Sequence, residues 1–326
     1  MRVLWLAPDK PDDISVGRER IAAHLRHRGI RVTIRGTTTR TVVQTVRDQW
    51  DYDAIVGTTR AGALAGSTLR YHLDCPLVVD HVDPIAQFAT THSRLFATPV
   101  RRLENIAFRL SSHTLYVYEE ERERVCRRTE CTKTTLGVDY DRFATPDPDI
   151  LSDVREALSE YDLADNVAVY VGGLEPLYNI EPLLASVDHL SDWSLLVLGT
   201  GSLHDSVRKR AENDPSVVFP GTVPHETVPG YLHQADVGLS LVDDPYTLKV
   251  LEYGAAGLPP VVLAGRARSR FGGLVTYSDA DPRAIADNIS RAAERTDGAA
   301  LQQYVSQFDW GSVADDYEQV LREVVD

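Results

Sequence analysis

Residues 240–262 read SLVDDPYTLKVLEYGAAGLPPVV, the most informative stretch of the chain. A β-rich run ends near Leu241, a helical pattern follows, and a second apolar run starts at Pro260. Pro245 suits the first position of a helix, and Asp244 suits the N-cap before it. The spacing therefore predicts a helix that starts at Pro245.

The predicted helix start brings together three groups that suit a sugar nucleotide. The amides of residues 245–248 would form an electropositive end that can hold an anion such as pyrophosphate. Asp244 could accept hydrogen bonds from sugar hydroxyls. Glu252, two turns further on, could accept two from a ribose diol, each worth about 1.5–3 kcal/mol. On spacing alone, the alternative is that Asp244 only caps the helix and Glu252 is only solvated.

Both halves of the chain alternate short β-rich runs with longer helical patterns, which is typical of parallel α/β architecture. The first helix should end at Gly29, and the Pro- and Asp-rich segment 143–150 is the best linker candidate. A C-terminal helix carries one apolar stripe that must pack on another element. The predicted strands are Val3–Ala7, Arg31–Arg35, Ala54–Gly57, Pro76–Asp80, Thr114–Val117, Val167–Val171, Ser194–Leu198, Val217–Phe219, Val237–Ser240 and Pro260–Leu263.

Length and composition favour a soluble globular protein of two domains. The chain has 326 residues, of which 43% are hydrophobic and 25% charged, with no apolar run of the roughly 18 residues that a membrane span needs. Residues 1–145 carry a net charge of +4 and residues 146–326 carry −18, which suggests different partners for the two halves. The acidic balance and the lack of a known module argue against nucleic acid as a partner.

Two further features concern the environment of the protein. Only four of the 34 basic residues are Lys, and Asp outnumbers Glu, a bias that suggests a salt-adapted (halophilic) surface, with compositional drift as the alternative. The three cysteines, Cys75, Cys126 and Cys131, are odd in number and lack CxxC spacing. They predict neither a disulfide framework nor a zinc site. We therefore expect a cytoplasmic location.

Six segments together resemble one enzyme family. Residues 249–262, KVLEYGAAGLPPVV, are similar to its KLxEYMAAGxPVV pattern. The other matching segments are YVGGL at 170–174, LVLGTGSL at 196–203, FPGTVPHETVPGYLHQA at 219–235, GVDYDRF at 137–143 and FDW at 308–310. Taken in their order along the chain, these segments resemble the GT-B glycosyltransferases, closest to glycosyltransferase family 4.

The resemblance implies an α/β fold of two Rossmann-like domains facing a cleft. Residues 1–145 would bind the acceptor and residues 146–310 the nucleotide-sugar, while residues 311–326 would form a helix that returns to the N-terminal domain. The implied reaction is hexosyl transfer with retention from a UDP- or GDP-linked donor to a saccharide or lipid-linked acceptor. The family needs no cofactor and no obligatory metal.

The resemblance also assigns site residues. Asp244, Glu252 and His81 would act at the transferred sugar or the ribose, although a lone His such as His81 is more often a satisfied structural residue. Gly17 and Arg18 would approach the donor from the first domain. The donor-binding residues of the second domain would be Gly173, Gly199, Gly201, Thr222, Val223, Tyr246, Thr247, Leu248 and Lys249.

The chain departs from the family at the diphosphate. The family's Arg and Lys in a GRLxxxKG segment are replaced by Gly173 and Tyr178. A helix end contributes only about 0.3–1 kcal/mol through its dipole, so another cation should compensate. Lys249 and Arg18 are the candidates. The first acid of the motif is also Asp244 rather than the usual Glu.

Two alternatives and one surface stay open. A non-catalytic GT-B protein that binds sugars or a partner is one alternative. A nucleotide-sugar 2-epimerase is the other, although no matching set of carboxylates and His residues is present. Residues 94–133 combine many arginines with an apolar stripe, which suggests peripheral contact with the inner face of a membrane or with an anionic acceptor. A core-facing helix with solvated arginines would give the same pattern.

Overall fold

The computed structural model describes residues 1–8, 14–47, 51–85, 94–295 and 298–326. They divide into two compact units, of which unit 1 is Met1–Gly137 with Trp310–Asp326, and unit 2 is Val138–Asp309. Each unit contains a six-stranded sheet in which every strand pair is parallel. Alternating strands and helices thus form two Rossmann-like α/β layers, as the sequence pattern predicts.

Unit 1 has the strand order β2-β1-β3-β4-β5-β6. Its central strands β3 and β4 are buried along their whole length, as expected for a parallel sheet covered on both faces. The strands are β1 (Arg2–Leu6), β2 (Arg31–Arg35), β3 (Ala54–Thr58), β4 (Leu77–His81), β5 (His113–Tyr116) and β6 (Glu130–Lys133). The helices are α1 (Ile14–His27), α2 (Thr39–Arg47), α3 (Thr59–Leu73), α4 (Arg94–Leu110), α5 (Arg122–Cys126) and, at the C-terminus, α15 (Trp310–Val325).

Unit 2 has the strand order β12-β11-β10-β7-β8-β9. Its strands are β7 (Asn166–Val171), β8 (Trp193–Leu198), β9 (Val217–Gly221), β10 (Val237–Ser240), β11 (Pro260–Leu263) and β12 (Thr276–Ser278). Its helices are α6 (Tyr140–Ala144), α7 (Pro148–Leu158), α8 (Ile180–Ser186), α9 (His204–Asn213), α10 (Val228–Leu232), α11 (Leu248–Ala255), α12 (Arg268–Phe271), α13 (Pro282–Ala293) and α14 (Gly298–Ser306).

The ten predicted strands all exist, and three of them, β2, β10 and β11, match to the residue. Strands β6 and β12 were not predicted. Both lie at a sheet edge, and β12 is only three residues long, so neither shows a strong apolar run. The first helix ends at His27, and Gly29 follows in the left-handed conformation (φ 85°), as its predicted C-cap role requires.

The predicted linker at residues 143–150 is wrong. The segment lies inside unit 2 and contains the end of α6 and the start of α7. Pro148 stands at the start of α7, where a missing amide costs nothing, and the Asp147 side chain accepts the Asp149 amide at 2.9 Å. Pro and Asp therefore mark a helix start here. The first boundary falls at 137/138 instead of 145/146.

A buried carboxylate in unit 1 joins the C-terminal helix to the sheet. Asp80, at the end of β4, accepts Arg18 Nε at 2.8 Å and Arg18 Nη2 at 2.9 Å. The hydroxyls of Thr58 and Tyr317 donate to the same carboxylate at 2.7 and 2.8 Å. The Tyr317 ring also stacks on Trp5, with centroids 5.3 Å apart. Helices α1 and α15 are thus both anchored at one buried charge.

The cysteine prediction is also wrong. Cys126 and Cys131 form a disulfide that closes the turn between α5 and β6, with Cα atoms 5.3 Å apart. The turn between a helix and the following strand brings the two residues together, although neither spacing nor parity indicated it. Cys75 is free and buried, and burial raises the pKa of its thiol to about 11. None of the helices among the described residues is long and apolar enough to cross a membrane.

We expect Asp80→Ala to be strongly destabilising, because it leaves the buried Arg18 without its counter-charge. Loss of one partner of a buried pair costs about 3–5 kcal/mol. The check is urea unfolding followed by tryptophan fluorescence. Glu318→Ala, which removes a more exposed pair with Arg28 (3.0 Å), should cost below about 1 kcal/mol. Equal losses for both variants would contradict the anchoring role of Asp80.

Candidate functional site

The carboxyl ends of β7 and β8 in unit 2 meet backbone to backbone. The Gly172 amide donates to Leu198 O at 2.9 Å, and the Leu174 amide donates to Thr200 O at 2.8 Å. Gly172 and Gly199 have φ of +140° and +143°, which favour glycine. A Cβ on Gly199 would overlap the carbonyl of Gly172, and one on Gly201 would lie 2.6 Å from Leu174 O. The two loops therefore require the glycines that the sequence motif contains.

The side chain of Lys249 reaches this pair of loops from α11. A Cβ on Gly172 would lie 2.6 Å from Lys249 Nζ. The same nitrogen lies 4.2 Å from the ring centroid of Tyr178 and 5.3 Å from that of Tyr170. A Cβ on Gly173 would meet the Tyr178 ring at 3.1 Å. The two positions that lack the family's cations thus lie beside an ammonium group from a different element.

Two buried tyrosines hold the strands below Lys249. Tyr170 donates its hydroxyl to Gly173 O at 2.6 Å. Tyr253, on α11, donates to Leu239 O at 3.1 Å and accepts the Val171 amide at 3.2 Å. Burial raises the pKa of both phenols above the ordinary value, so both remain protonated donors. Helix α11 is therefore tied to β7 and β10, and its first turn is held beside the loop after β7.

The predicted start of this helix is wrong by three residues. Helix α11 begins at Leu248, with Thr247 as an extended N-cap (φ −61°, ψ 132°) and no side-chain cap bond. Asp244 instead accepts the Tyr246 amide at 2.9 Å, which forms a local Asx turn. The Pro and Asp signal is satisfied by this turn. The amides at the helix end are consequently those that begin at Leu248.

Glu252 lies one turn into α11 and pairs with a residue that the sequence patterns did not select. Its Oε1 lies 3.1 Å from Nε2 of His225, and its side chain is only 14% exposed while that of His225 is half-exposed. The His225 carbonyl accepts Arg142 Nη2 at 2.8 Å. Proximity to Glu252 arises from the fold, and no sequence spacing shows it.

Thr222 and Val223 follow the end of β9, next to the same edge of the sheet. Gly221 has φ +88°, and its carbonyl accepts the Gly199 amide at 2.9 Å. Thr222 is exposed and Val223 is half-buried. The predicted donor-binding residues of unit 2 therefore lie on the loops that follow β7, β8, β9 and β10 or, for Leu248 and Lys249, in the first turn of α11. Ligands of open α/β sheets bind at this edge.

The predicted site residues of unit 1 are placed differently from the expectation. Gly17 lies within α1, where a Cβ would meet the Trp310 ring at 2.7 Å. Arg18 is 3% exposed and bound to Asp80. Burial opposes its charge, but Asp80 outweighs this effect and raises the pKa of Arg18 above its ordinary value. Gly17 is packed against Trp310, and the charge of Arg18 is neutralised by the buried Asp80. Neither residue is therefore placed to approach a donor.

His81 likewise belongs to a buried hydrogen-bonded cluster. It is 4% exposed, its Nε2 lies 3.0 Å from Glu121 Oε2, and its ring meets Phe108 edge-on. Arg124 Nη1 donates to the same Glu121 oxygen at 2.6 Å. Burial alone would raise the pKa of Glu121, but His81 and Arg124 lower it to about 2. His81 is therefore a buried structural residue, which was the alternative to its predicted catalytic role.

Similarity to known proteins bears on the second unit first. Residues 165–295 match the family model of the glycosyl transferases group 1. This part of unit 2 is therefore similar to a glycosyltransferase group 1 domain. The matched range contains the loops after β7 to β10, Lys249 and Glu252. The predicted enzyme type, a glycosyltransferase, is thereby confirmed. No curated protein gives a significant sequence match to this chain.

Solved structures share the fold of the whole chain around the glycosyltransferase domain. Anabaena Alr3699/HepE in complex with UDP-glucose matches with a TM-score of 0.78 at 17% identity, over 99% of this chain and all of that one. Sucrose-phosphate synthase from Thermosynechococcus elongatus matches at 0.80 with 15% identity, over 99% and 98%. WaaG, a glycosyltransferase involved in lipopolysaccharide biosynthesis, matches at 0.69 with 15% identity, over 98% and 99%. The predicted GT-B fold class is confirmed.

We expect stability at low pH to depend on Glu121. Its pKa of about 2 in the folded protein lies below the ordinary 4.5, so its contribution is present above about pH 5 and is lost as the pH falls toward 2. Glu121→Gln should therefore flatten the decline of the unfolding free energy between about pH 5 and 2. Urea unfolding at several pH values measures this slope.

Glu123→Gln is the matched control, because Glu123 on α5 forms an exposed ion pair with Arg127, just after the end of that helix. It should leave the slope unchanged. A wild-type slope in the Glu121 variant would show that His81 and Arg124 do not stabilise the ionised carboxylate.

Proposed function

We propose that this protein transfers a sugar from a UDP-linked donor, with retention, to a saccharide or lipid-linked acceptor. The observation that carries the proposal is the ammonium group of Lys249 at the Gly172–Gly173 loop, beside the amino end of α11. Such an arrangement concentrates positive charge where a departing diphosphate gains negative charge. The structure of the Anabaena relative holds UDP-glucose, which makes UDP the first donor nucleotide to test and GDP the second.

Lys249 would replace two cations with one. It approaches the loop from α11 instead of extending from the loop itself, and Tyr178 and Tyr170 hold its position. A cation over an aromatic face gains about 0.5–2 kcal/mol, so its place near the loop is maintained before a donor binds. The helix end adds about 0.3–1 kcal/mol toward an anion. Together they supply the neutralisation that Gly173 and Tyr178 cannot.

Glu252 would bind the ribose of the donor. Its carboxylate lies one turn below the helix end, at a distance from Lys249 set by the helix, and His225 orients it. Asp244 and the residues Tyr246, Thr247 and Leu248 would face the sugar and phosphates from the loop before α11. We expect catalysis to come from positioning and from stabilisation of the leaving group. No step requires a metal, so we expect EDTA to leave the rate unchanged.

The donor proposal predicts a loss of UDP affinity in Lys249→Met, a variant of similar volume without charge. A charged hydrogen bond is worth about 1.5–3 kcal/mol, so the Kd for UDP should rise on the order of 10- to 100-fold. Isothermal titration with UDP and GDP, followed by donor turnover with and without EDTA, measures both steps. Lys209→Met, on α9, is the control and should bind like the wild type.

Four outcomes separate these possibilities. UDP binding with turnover supports the transferase. Binding without turnover supports the non-catalytic protein that the sequence left open. UDP affinity that is unchanged in Lys249→Met would contradict the proposal that Lys249 replaces the family's cations, whether or not the wild type turns the donor over. Formation of an epimerised nucleotide-sugar would indicate the 2-epimerase.

The exposed face of α4 supports a lipid-linked acceptor and contact with an anionic membrane surface. Leu103 and Ile106 are 47% and 48% exposed, and Arg101, Arg102 and Arg109 are exposed around them. The acidic residue of this helix does not dilute the charge. Glu104 is buried, where it pairs with Arg60 at 2.7 Å and with Arg124.

Arginines from the next segment add to this face. Burial lowers the pKa of Arg128, and the charges of Arg109, Arg124, Arg101 and Arg127 lower it further. Such crowding of like charges is unfavourable in water and is relieved by anionic groups. Each cation gains about 1 kcal/mol near an acidic lipid surface, while Leu103 and Ile106 can enter the headgroup region. We propose that residues 98–110 and 127–128 contact the membrane that carries the acceptor.

Vesicle sedimentation tests this surface. The protein should bind vesicles that contain phosphatidylglycerol and not those of phosphatidylcholine alone, and salt should weaken the binding. The double variant Arg101→Gln/Arg109→Gln should bind on the order of 10- to 30-fold more weakly. Val43→Ser, at another exposed apolar position of unit 1, is the control. Equal binding to both kinds of vesicle, or no effect of the double variant, would contradict the proposal.

A further inference from the structure

The loop between β10 and α11 is held by the segment that follows β11. The Arg266 amide donates to Asp243 Oδ1 at 2.8 Å, and its Nη2 donates to Asp243 O, also at 2.8 Å. Further along, Arg270 Nη1 donates to Pro245 O at 2.8 Å. Two arginines from one short segment thus hold both ends of Asp243–Pro245, the stretch that contains the Asx turn of Asp244.

Arg270 is set among aromatic rings of unit 2. Its guanidinium carbon lies 4.7 Å from the ring centroid of Tyr246, 5.0 Å from that of Phe308 and 5.3 Å from that of Phe271. Its backbone carbonyl accepts the Tyr304 hydroxyl at 3.2 Å. Burial lowers the pKa of Arg270, while Tyr304, Tyr246 and Asp244 act in the opposite direction. Because partial burial of a cation costs free energy, the contacts of Arg270 must offset that cost.

We infer that Arg270 is the positioning residue of residues 243–247, the donor loop. The inference rests on the proposed function, because it assigns the purpose of the loop to donor binding. Arg270 fixes the Pro245 carbonyl by a hydrogen bond and the Tyr246 ring by stacking. These two residues connect Asp244 to Thr247, the N-cap of α11. The orientation of the helix-end amides toward a diphosphate therefore depends on this guanidinium.

The chemistry of the contact requires Arg at this position. A planar guanidinium can stack on Tyr246 and donate to a carbonyl at the same time, whereas an ammonium group is a compact point charge. Arg270→Lys therefore keeps the charge and loses part of the geometry. Arg270→Met keeps the volume and loses both the charge and the hydrogen bond.

The same helix offers a matched control. Arg268 also stacks on a tyrosine, with its guanidinium carbon 4.3 Å from the ring centroid of Tyr277. Tyr277 belongs to β12 and not to the donor loop. Arg268→Met thus removes a cation and an aromatic contact of the same kind, from the same helix, without touching residues 243–247.

Two measurements test the inference on the full-length chain. The first is hydrogen exchange of residues 243–250, which needs no ligand. Exchange of this segment should rise in Arg270→Met on the order of tenfold and stay at the wild-type rate in Arg268→Met. The second is isothermal titration with UDP, in which Arg270→Met should raise the Kd on the order of tenfold and Arg270→Lys by less.

The outcomes are distinguishable from failure of the proposed function. Wild-type protein that binds neither UDP nor GDP would contradict that function, while the exchange data would still decide whether Arg270 holds the loop. Unchanged exchange in Arg270→Met, or an equal rise in Arg268→Met, would overturn the inference. If Arg270→Met fails to fold, Tyr246→Leu removes the stacked ring from the other side. It should raise the same exchange rates, and a wild-type rate would overturn the inference.

Discussion

The ammonium group of Lys249 lies where a side chain on Gly172 would have to be, and the candidate site depends on this exclusion. A glycine at 172 leaves room for the cation, and its positive φ turns the chain toward the loop after β8. The Gly172 carbonyl in turn excludes a side chain at Gly199. Two loops and the first turn of α11 are therefore packed around one position without a Cβ. Tyr253 and Tyr170 fix the strands beneath Lys249, so the surrounding fold sets the position of its ammonium group.

The sequence predicts the fold of both units well because parallel strands are buried runs that recur between helices. It fails where one signal has two physical meanings. Pro and Asp mark a helix start at residues 147–148, although they suggested a linker, and Asp244 forms a local turn, although it suggested a cap. The glycines and Lys249 were found because a motif specifies them. His225 and Arg270 were missed because their neighbours are 27 and 25 positions away in the chain. No local spacing encodes such contacts.

Buried charge explains why two predicted residues of unit 1 lie away from any exposed site. Asp80 lies near the end of β4 and Glu121 contacts His81, the last residue of that strand. Asp80 is neutralised by Arg18, and Glu121 by Arg124. A single buried ion would be costly, so the chain supplies partners from several helices. These acids and Arg124 lie in the interior, whereas Arg101, Arg102 and Arg109 of α4 and Arg122 of α5 are exposed. A chain with a net charge of −14 can thus present a basic face.

Unit 1 is made from both ends of the chain, since Tyr317 on α15 completes the hydrogen bonds of Asp80. Residues 1–137 are therefore translated long before the residue that completes their buried carboxylate. Unit 1 can acquire its full set of interior hydrogen bonds only after the whole chain has been made. A chain truncated before Trp310 would lack all of α15, so Asp80 would keep Arg18 and Thr58 but lose Tyr317, and Trp5 would lose its stacked ring.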